Sequence, residues 1–349
     1  MAHFRYLEKI PSAEVPVKRP TIHDIAREAG VAKSTVSFAL NGQPGVSEAT
    51  RRRILAVAGE LGWQPSRAAR ALSAAQAEVV GLVLARPAGL LAVEPFFMRL
   101  IAGVEAALGA DDIGLLLQVV GDDPRRELEV YRRWWGQRRV DGVLVVDVRV
   151  DDQRLPVLAE LGLPCVLVSS AVPGSGLTSV GLDTKAAMVA AVAHLRALGH
   201  TRIARVTGNA DFQETVLRDR AFAEAAGPDA VVVAADYSGE RGAAATRDLL
   251  LCRQPPTAIV YDNDVMAVSA VGVAAELGLD VPGDLSIIAW DDSPLCRLPH
   301  PALTALGRDI SGYGAAAADA LLRVIDGERV PDAVFGAAEL VVRGSTGPA

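Results

Sequence analysis

The sequence predicts an α/β protein with an all-α N-terminal headpiece and a larger region of two doubly wound parallel sheets. Three observations support this fold class. The chain has 349 residues, half of them hydrophobic and 22% charged, which is enough to bury the cores of two or three units. Short helical patterns separated by turns occupy residues 20–64. From Val79 onward, apolar runs of strand length alternate with helical patterns, which is typical of βαβ architecture.

The headpiece pattern contains three predicted helices. Thr21 and Asp24 have the spacing of a capping box, and Gly30 ends the apolar face that follows them. Ser47 is placed to cap the third helix. Helix, tight turn, helix, loop and helix is the outline of a helix-turn-helix unit. The predicted helices span residues 22–29, 33–40 and 48–61.

The charge of the chain is distributed unevenly. The formal net charge is −7, yet residues 18–75 carry nine basic and four acidic side chains, so this stretch is at +5 and the remainder at −12. Cations near phosphates supply nucleic-acid affinity, which the basic stretch can provide and the acidic remainder cannot. Residues 67–75 form an alanine-rich helical pattern that is too short to be stable alone, so we expect it to fold only against a partner surface.

The region after Val79 is predicted to form two lobes with a cleft between them, because some 270 residues are too many for a domain built on one ordinary sheet. Eight apolar runs indicate buried parallel strands at residues 79–84, 114–119, 142–146, 165–168, 203–206, 230–233, 258–261 and 286–290. Helical patterns alternate with them or follow them, among others at residues 97–108, 125–137, 184–198, 264–277 and 312–325.

Composition excludes several classes of function. The three cysteines are far apart, and the histidines lack ligand spacing, so we expect no disulfide, metal or cofactor. The chain lacks an 18-residue apolar run and a signal-peptide pattern, so we expect a cytoplasmic protein with no membrane partner. Nucleotide-binding, metalloprotease and hydrolase motifs are absent, which argues against an enzyme. Residues 312–317 weakly resemble the glycine-rich motif that binds dinucleotides. That motif follows a buried strand, whereas residues 308–311 resemble the segment that leads into a helix, so we interpret the glycines as a packed helix start.

Several motifs closely resemble the LacI/GalR family of bacterial repressors. They are ordered and correctly spaced from about residue 20 to the C-terminus. The resemblance implies a helix-turn-helix headpiece, a hinge helix and a two-lobed domain like those of periplasmic sugar-binding proteins. The motifs are TIHDIAREAGVAKSTVSFALNG, VSEATRRRILAVAGELGWQPSRAARALS, HLRALGHTRIARVTGN, VYDNDVMAVSAVGVAAELGLDVPGDLSIIAWDD and LVVRGST.

The resemblance implies contacts with double-stranded DNA. Ser37 projects from the second helix with the base-reading positions and also matches a family position that anchors phosphates or the helix end. The expected base contacts are Lys33, Ser34, Ser37 and Phe38. The expected phosphate contacts are Thr21, Thr35, Asn41, Ser66 and Arg67.

Two headpiece positions depart from the family pattern. Phe38 stands where the family usually has arginine, so it cannot read guanine but can contact a thymine methyl. Ala32 replaces a frequent serine cap, so we expect a less stable start of the recognition helix.

In the hinge, Leu72 matches the leucine that the family inserts into the minor groove at the operator centre. Two hinges must meet there, which implies a homodimer, with a tetramer left open, and a near-palindromic operator. An alternative is that Leu72 packs only against the hinge of its dimer mate.

The resemblance also implies a small-molecule effector between the lobes. Carboxylates and arginine suit vicinal hydroxyls, and the nearby aromatics, Phe212 and Tyr261 among them, suit a sugar face, so a carbohydrate is expected. A nucleoside or purine effector remains an alternative. Phe96 and Trp290 also fit core positions, Asp264 fits a helix cap, and Ser169 replaces a frequent aspartate. The expected effector contacts are Phe97, Ser169, Arg218, Asn263, Asp264, Trp290 and Asp291.

The expected protein is therefore a ligand-responsive transcriptional regulator, and the main alternative is a sugar-binding protein without a DNA role. The expected organisation is a tail (1–17), a headpiece (18–64), a hinge (65–78) and an effector domain (79–349). Within that domain we expect a first lobe of residues 79–176 and 303–328 and a second of residues 178–300 and 330–343.

Overall fold

The chain divides into two compact units, residues 1–75 and 76–349. The computed structural model describes residues 20–63 of the first unit and all of the second. Among the described residues, every helix is too short or too polar to cross a membrane.

Residues 20–63, the described part of the first unit, form three helices around a small apolar core. The core is formed by Ile25, Val36 and Ile54, one from each helix, and all three are fully buried. Asp24 accepts a hydrogen bond from the backbone N–H of Thr21 at 2.9 Å, which fixes the first helix start as the sequence predicts. The helices are α1 (Ile22–Glu28), α2 (Lys33–Leu40) and α3 (Glu48–Glu60).

The starts of α2 and α3 differ in their capping. Ser47 accepts a hydrogen bond from the backbone N–H of Thr50, whereas Ala32 precedes α2 without any side-chain acceptor. The backbone donors at the start of α2 are therefore left to solvent or to a ligand.

The second unit is built from two six-stranded sheets. Their order is β11-β5-β4-β3-β1-β2 in the first lobe and β12-β10-β9-β8-β6-β7 in the second. All strand pairs are parallel except β10 with β12. The strands are β1 (Val79–Leu84), β2 (Gly114–Val119), β3 (Gly142–Val145), β4 (Cys165–Val168), β5 (Thr178–Gly181), β6 (Ile203–Thr207), β7 (Val231–Ala234), β8 (Ala258–Tyr261), β9 (Ser286–Ala289), β10 (Thr304–Gly307), β11 (Ala333–Val334) and β12 (Glu339–Val341).

Helices cover both faces of each sheet. In the first lobe, Leu82 and Leu144 belong to one core, whereas Val83 and Val143 on the same strands belong to another. This alternation buries both faces, as parallel sheets require. The helices are α4 (Ala88–Leu91), α5 (Pro95–Gly109), α6 (Pro124–Gly136), α7 (Arg154–Leu161), α8 (Thr184–Ala197), α9 (Gln213–Ala226), α10 (Gly239–Leu250), α11 (Asp264–Glu276) and α12 (Ile310–Ile325).

The lobe boundaries differ from those predicted. The chain crosses between the lobes after β5, after β10 and after β11. Residues 178–181 therefore complete the first sheet, residues 304–307 lie in the second, and residues 333–334 return to the first. The sequences of β5 and β10, TSVG and TALG, are too short and polar to show as apolar runs, so the prediction misplaced all three crossings.

The glycine pattern near Gly312 is a packed helix start, as predicted. Asp309 caps α12 by accepting a hydrogen bond from the Gly312 backbone N–H at 2.8 Å. A Cβ added to Gly103 of α5 would lie 1.8 Å from the Ser311 carbonyl oxygen, and one on Gly314 would lie 2.2 Å from that of Leu100. These glycines therefore let α5 and α12 meet backbone to backbone in the first lobe.

Candidate functional sites

The exposed surface of α2 carries the side chains expected to read bases. Lys33, Ser34 and Phe38 are exposed, with Phe38 at 45%, while Ser37 is half-buried. This exposure leaves the ring of Phe38 free to contact another molecule.

The residues expected to hold phosphates have different surroundings. Thr21 is exposed and its hydroxyl donates to Asp24 at 2.7 Å, while Thr35 is half-buried. The exposed Asn41 amide lies 3.4 Å from the Ser37 hydroxyl at the end of α2. The remaining DNA-contact predictions, Ser66, Arg67 and Leu72, fall outside the described residues.

Arg51 belongs to the basic stretch, yet it has a structural role. Its Nη1 and Nη2 donate to the backbone carbonyls of Ala39 and Gln43 at 2.9 and 2.8 Å. Arg51 therefore stabilises the C-terminal end of α2.

The two lobes of the second unit enclose a cavity of about 720 Å³, part of it open to solvent. It lies at the carboxyl ends of the parallel strands, where open α/β sheets bind ligands. Its wall combines charged, aromatic and aliphatic side chains: Arg86, Glu94, Phe96, Val146, Asp147, Val148, Val168, Leu182, Phe212, Glu214, Arg218, Tyr237, Asp262, Asp291, Arg308 and Tyr313.

Asp262 organises the second-lobe side of the cavity. This buried carboxylate accepts hydrogen bonds from Arg205 at 3.0 Å, from Arg218 at 2.7 Å and from the Gly208 backbone N–H at 2.8 Å. Burial alone would raise the pKa of Asp262, but the guanidinium groups of Arg205 and Arg218 outweigh burial and hold the pKa at about 2.

Trp290 supports two arginines of the cavity wall. The guanidinium carbons of Arg218 and Arg308 lie 4.5 and 5.3 Å from the centre of its ring. Arg308 also forms an ion pair with Asp291. Stacking and ion pairing together hold both guanidinium groups at the wall.

Arg86 connects the lobes from the first-lobe side. Its Nε and Nη2 donate to the Asp147 carboxylate at 2.7 and 2.9 Å. The same guanidinium lies 4.8 and 4.5 Å from the ring centres of Phe212 and Tyr237 in the second lobe. An arginine of one lobe is thus stacked on two aromatic rings of the other.

Backbone and carboxylate contacts also join the lobes. The Gln213 backbone N–H donates to the Val148 carbonyl at 2.8 Å, and that of Val150 donates to the Asp211 carbonyl at 2.9 Å. Glu214 of the second lobe accepts a hydrogen bond from the Ser170 backbone N–H of the first lobe at 2.7 Å, and one from the Thr184 hydroxyl of its own lobe at 2.9 Å. Because these hydrogen bonds join the two lobes, the cleft between them is closed.

Two of the predicted effector contacts, Arg218 and Asp291, line the cavity, and Phe212 lines it as well. For Phe97 the structure corrects the prediction: Phe97 is 2% exposed within the first-lobe core, and its neighbour Phe96 faces the cavity. Adjacent helical residues point about 100° apart, so the two rings lie on different faces of α5.

The other predicted contacts lie behind the wall. Ser169 is buried and donates to the Ser170 carbonyl, and Trp290 supports the arginines from a fully buried position. Asn263 caps α11 and donates to the Tyr237 carbonyl at 2.9 Å. Asp264 is buried in the first turn of α11, where burial raises its pKa to about 6. Tyr261 lies in the core, with its hydroxyl 2.8 Å from that of Thr246.

Sequence reasoning missed several wall residues that share one simple signal. Arg86, Asp147, Asp262 and Arg308 are charged residues that lie within two positions after a buried strand. In a parallel sheet, such positions meet at the ligand-binding edge. Glu94 and Glu214 belong to helical or loop segments and carry no comparable signal.

An exposed helix of a helix-turn-helix unit and a cavity between two α/β lobes define a class, namely DNA-binding proteins that also bind a small ligand. The comparisons with known proteins agree. The family description "Bacterial regulatory proteins, lacI family" matches residues 21–66, and "Periplasmic binding protein-like domain" matches residues 192–346. HTH-type transcriptional regulator reg1 of Streptomyces lividans is 35% identical over 341 residues, 93% of this chain and 96% of the relative.

Two solved structures are similar over nearly the whole chain. One is a transcriptional regulator CelR–cellobiose complex, with a TM-score of 0.72 and 29% identity; the match covers 94% of this chain and 100% of the CelR chain. The other is the lac repressor dimer bound to operator and the anti-inducer ONPF, with a TM-score of 0.82 and 25% identity; the match covers 95% of this chain and 100% of the lac repressor chain. The chain belongs to the LacI family of bacterial regulatory proteins. It is a DNA-binding transcriptional regulator and not an enzyme, which excludes a binding protein without a DNA role.

Proposed function

We propose that this regulator is a homodimeric repressor whose affinity for a near-palindromic operator is controlled by a small carbohydrate bound between its lobes. The observation that carries the proposal is the interlobe cavity, in which carboxylates, arginines and aromatic rings face one another. The similar CelR structure contains cellobiose, and the similar lac repressor is a dimer on its operator, which supports both parts of the proposal. Operator DNA lies in the cytoplasm, so we place the protein there.

The proposed mechanism is a coupling between cleft and hinge. The effector changes the angle between the lobes, the two hinges of the dimer change their spacing, and the hinge helices fold on the operator or leave it. Lys33, Ser34, Ser37 and Phe38 read bases. Thr21, Thr35, Asn41, Ser66 and Arg67 hold phosphates in this proposal. Leu72 is the minor-groove wedge.

Arg218→Ala is expected to weaken sugar binding by about 10- to 100-fold, because a hydrogen bond from a charged donor contributes about 1.5–3 kcal/mol. The measurement is a thermal-shift screen of the full chain against mono- and oligosaccharides, followed by calorimetry on each hit. Arg220→Ala, an exposed residue of the same helix, is the matched control and leaves affinity unchanged. Equal affinities of the wild type and the Arg218 variant would contradict the assigned contact. The absence of any sugar that shifts the melting temperature or operator affinity would contradict the carbohydrate effector.

Leu72→Ala is expected to reduce affinity for the specific operator by about 10- to 100-fold, with a smaller loss on nonspecific DNA, because a wedge acts only where it opens a base step. Both affinities are measured at one salt concentration, since nonspecific binding depends strongly on salt. Equal losses on the two DNAs would rule out the wedge.

A further inference from the structure

The cavity wall carries more carboxylates than arginines, and each of its three arginines already has a carboxylate partner. Arg86 is paired with Asp147, Arg218 with Asp262, and Arg308 with Asp291. Two further carboxylates, Glu94 and Glu214, line the same cavity. A phosphate or carboxylate on the ligand would therefore compete with an existing ion pair and lie among an excess of negative charge.

Glu214 is fully engaged, because its two oxygens accept hydrogen bonds from Ser170 and Thr184. Glu94 is not. It precedes α5, is 6% exposed, and its Oε2 has no hydrogen-bond partner among the described residues.

The surroundings of Glu94 come from both lobes. Arg86 and Asp147 face it from the first lobe, and Asp291 and Asn263 face it from the second. Burial raises the pKa of Glu94 to about 7, against the opposing effect of Arg86. A buried carboxyl oxygen without a partner is costly, and a ligand that donates a hydrogen bond removes that cost.

Donors are unpaired in the same cavity. The Nε atoms of Arg218 and Arg308 are buried and have no acceptor among the described residues. A hydroxyl group both donates and accepts, so a set of hydroxyls satisfies Glu94 and the two arginines together. An ionised carboxylate or phosphate group has no proton to donate, so it could accept from the arginines but would leave ionised Glu94 without a donor. The three atoms are covered in the closed cleft, so the ligand reaches them when the lobes separate.

From this geometry we propose that the effector is an electrically neutral, polyhydroxylated sugar and that Glu94 accepts a hydrogen bond from one of its hydroxyls. The proposal deepens the carbohydrate-effector function and rests on it.

The first test uses calorimetry on the full chain with matched pairs of probes: cellobiose with cellobionate, maltose with maltose 1-phosphate, and glucose with glucose 6-phosphate. The neutral member of at least one pair is expected to bind at least tenfold more tightly than its anionic partner. Equal or tighter binding of the anion would overturn this inference and leave the carbohydrate effector standing. If no probe of either kind binds while operator binding is intact, both the proposed carbohydrate effector and this inference fail.

The second test addresses Glu94 itself. Glu94→Ala is expected to weaken the neutral sugar by at least tenfold, and Glu94→Gln, which keeps an acceptor oxygen, by less. Glu105→Gln makes the same charge change at an exposed position of α5 and leaves affinity unchanged. Melting curves establish that each variant is folded. Equal affinities of Glu94→Ala, Glu105→Gln and the wild type would overturn the contact.

A pH series separates a ligand contact from a merely structural role. The ionised carboxylate is the stronger acceptor, so wild-type affinity is expected to rise a few-fold from pH 6 to pH 8. In Glu94→Gln the rise is lost. A pH dependence that is identical in wild type and Glu94→Gln would overturn the role of Glu94.

Discussion

Asp262→Ala is expected to lower the free energy of unfolding by about 3–5 kcal/mol, because it removes the shared partner of two buried cations. Arg205 is fully buried and would keep only Asp219, and Arg218 would lose its ion pair. The Gly208 backbone N–H would also lose its acceptor. Urea unfolding followed by circular dichroism measures the loss. Asp229→Ala, at an exposed position of the same lobe, is the control and stays close to wild type.

The same carboxylate predicts an acid dependence. The pKa of Asp262 is lowered from 3.8 to about 2, so the folded protein favours the ionised form. Its contribution of roughly 2 kcal/mol is fully present above pH 4 and is lost as the pH falls from about 4 to about 2. Wild type and Asp262→Asn are therefore expected to converge in stability as the pH falls through this range. A difference that stays constant with pH would contradict the depressed pKa.

Phe38→Arg is expected to change the preferred base pair at one position of each half-site, from one presenting a thymine methyl to one presenting guanine. An arginine that reads guanine N7 and O6 discriminates by about 1–3 kcal/mol, and a dimer makes the contact twice, for about 2–6 kcal/mol in all. Phe38 lies on the exposed face of α2, so the new side chain has room to extend.

Selection from a library of randomised operators measures this change. Leu55→Arg adds the same charge at an exposed position of α3, so it controls for a general gain in phosphate affinity. We expect it to leave the selected sequence unchanged. An unchanged preference in Phe38→Arg would mean that position 38 does not face a base.

Most strands could be predicted because buried parallel strands are continuous apolar runs. Val79–Leu84 and Cys165–Val168 show this pattern and were placed with their observed bounds. The strand Thr178–Gly181 carries Thr, Ser and Gly, and it belongs to the first sheet only because its neighbours pair with it. Membership of a sheet through such non-local pairing is not visible in a local pattern.

The candidate site was only partly predictable for the same reason. Arg218 and Asp291 lie in recognisable motifs and line the cavity. Arg86 and Asp147 are 61 residues apart, and Arg86 stacks on rings of the opposite lobe. Their role depends on closure of the cleft, which no sequence spacing encodes. Phe96 lines the cavity where Phe97 was predicted to do so. A motif can therefore place a helix correctly and still leave undetermined which of its residues faces the ligand.

The three crossings between the lobes affect how this protein can be recombined. Neither lobe is a continuous piece of chain, so transplanting one of them into a relative requires several coordinated junctions. The headpiece, in contrast, is continuous in sequence and has a core of its own around Ile25, Val36 and Ile54. A single genetic crossover near residues 64–75 therefore exchanges the DNA-reading part while the ligand-sensing part is inherited whole. Regulators built this way can acquire new target genes in one step, whereas a new ligand has to be acquired by point substitutions in the cavity wall.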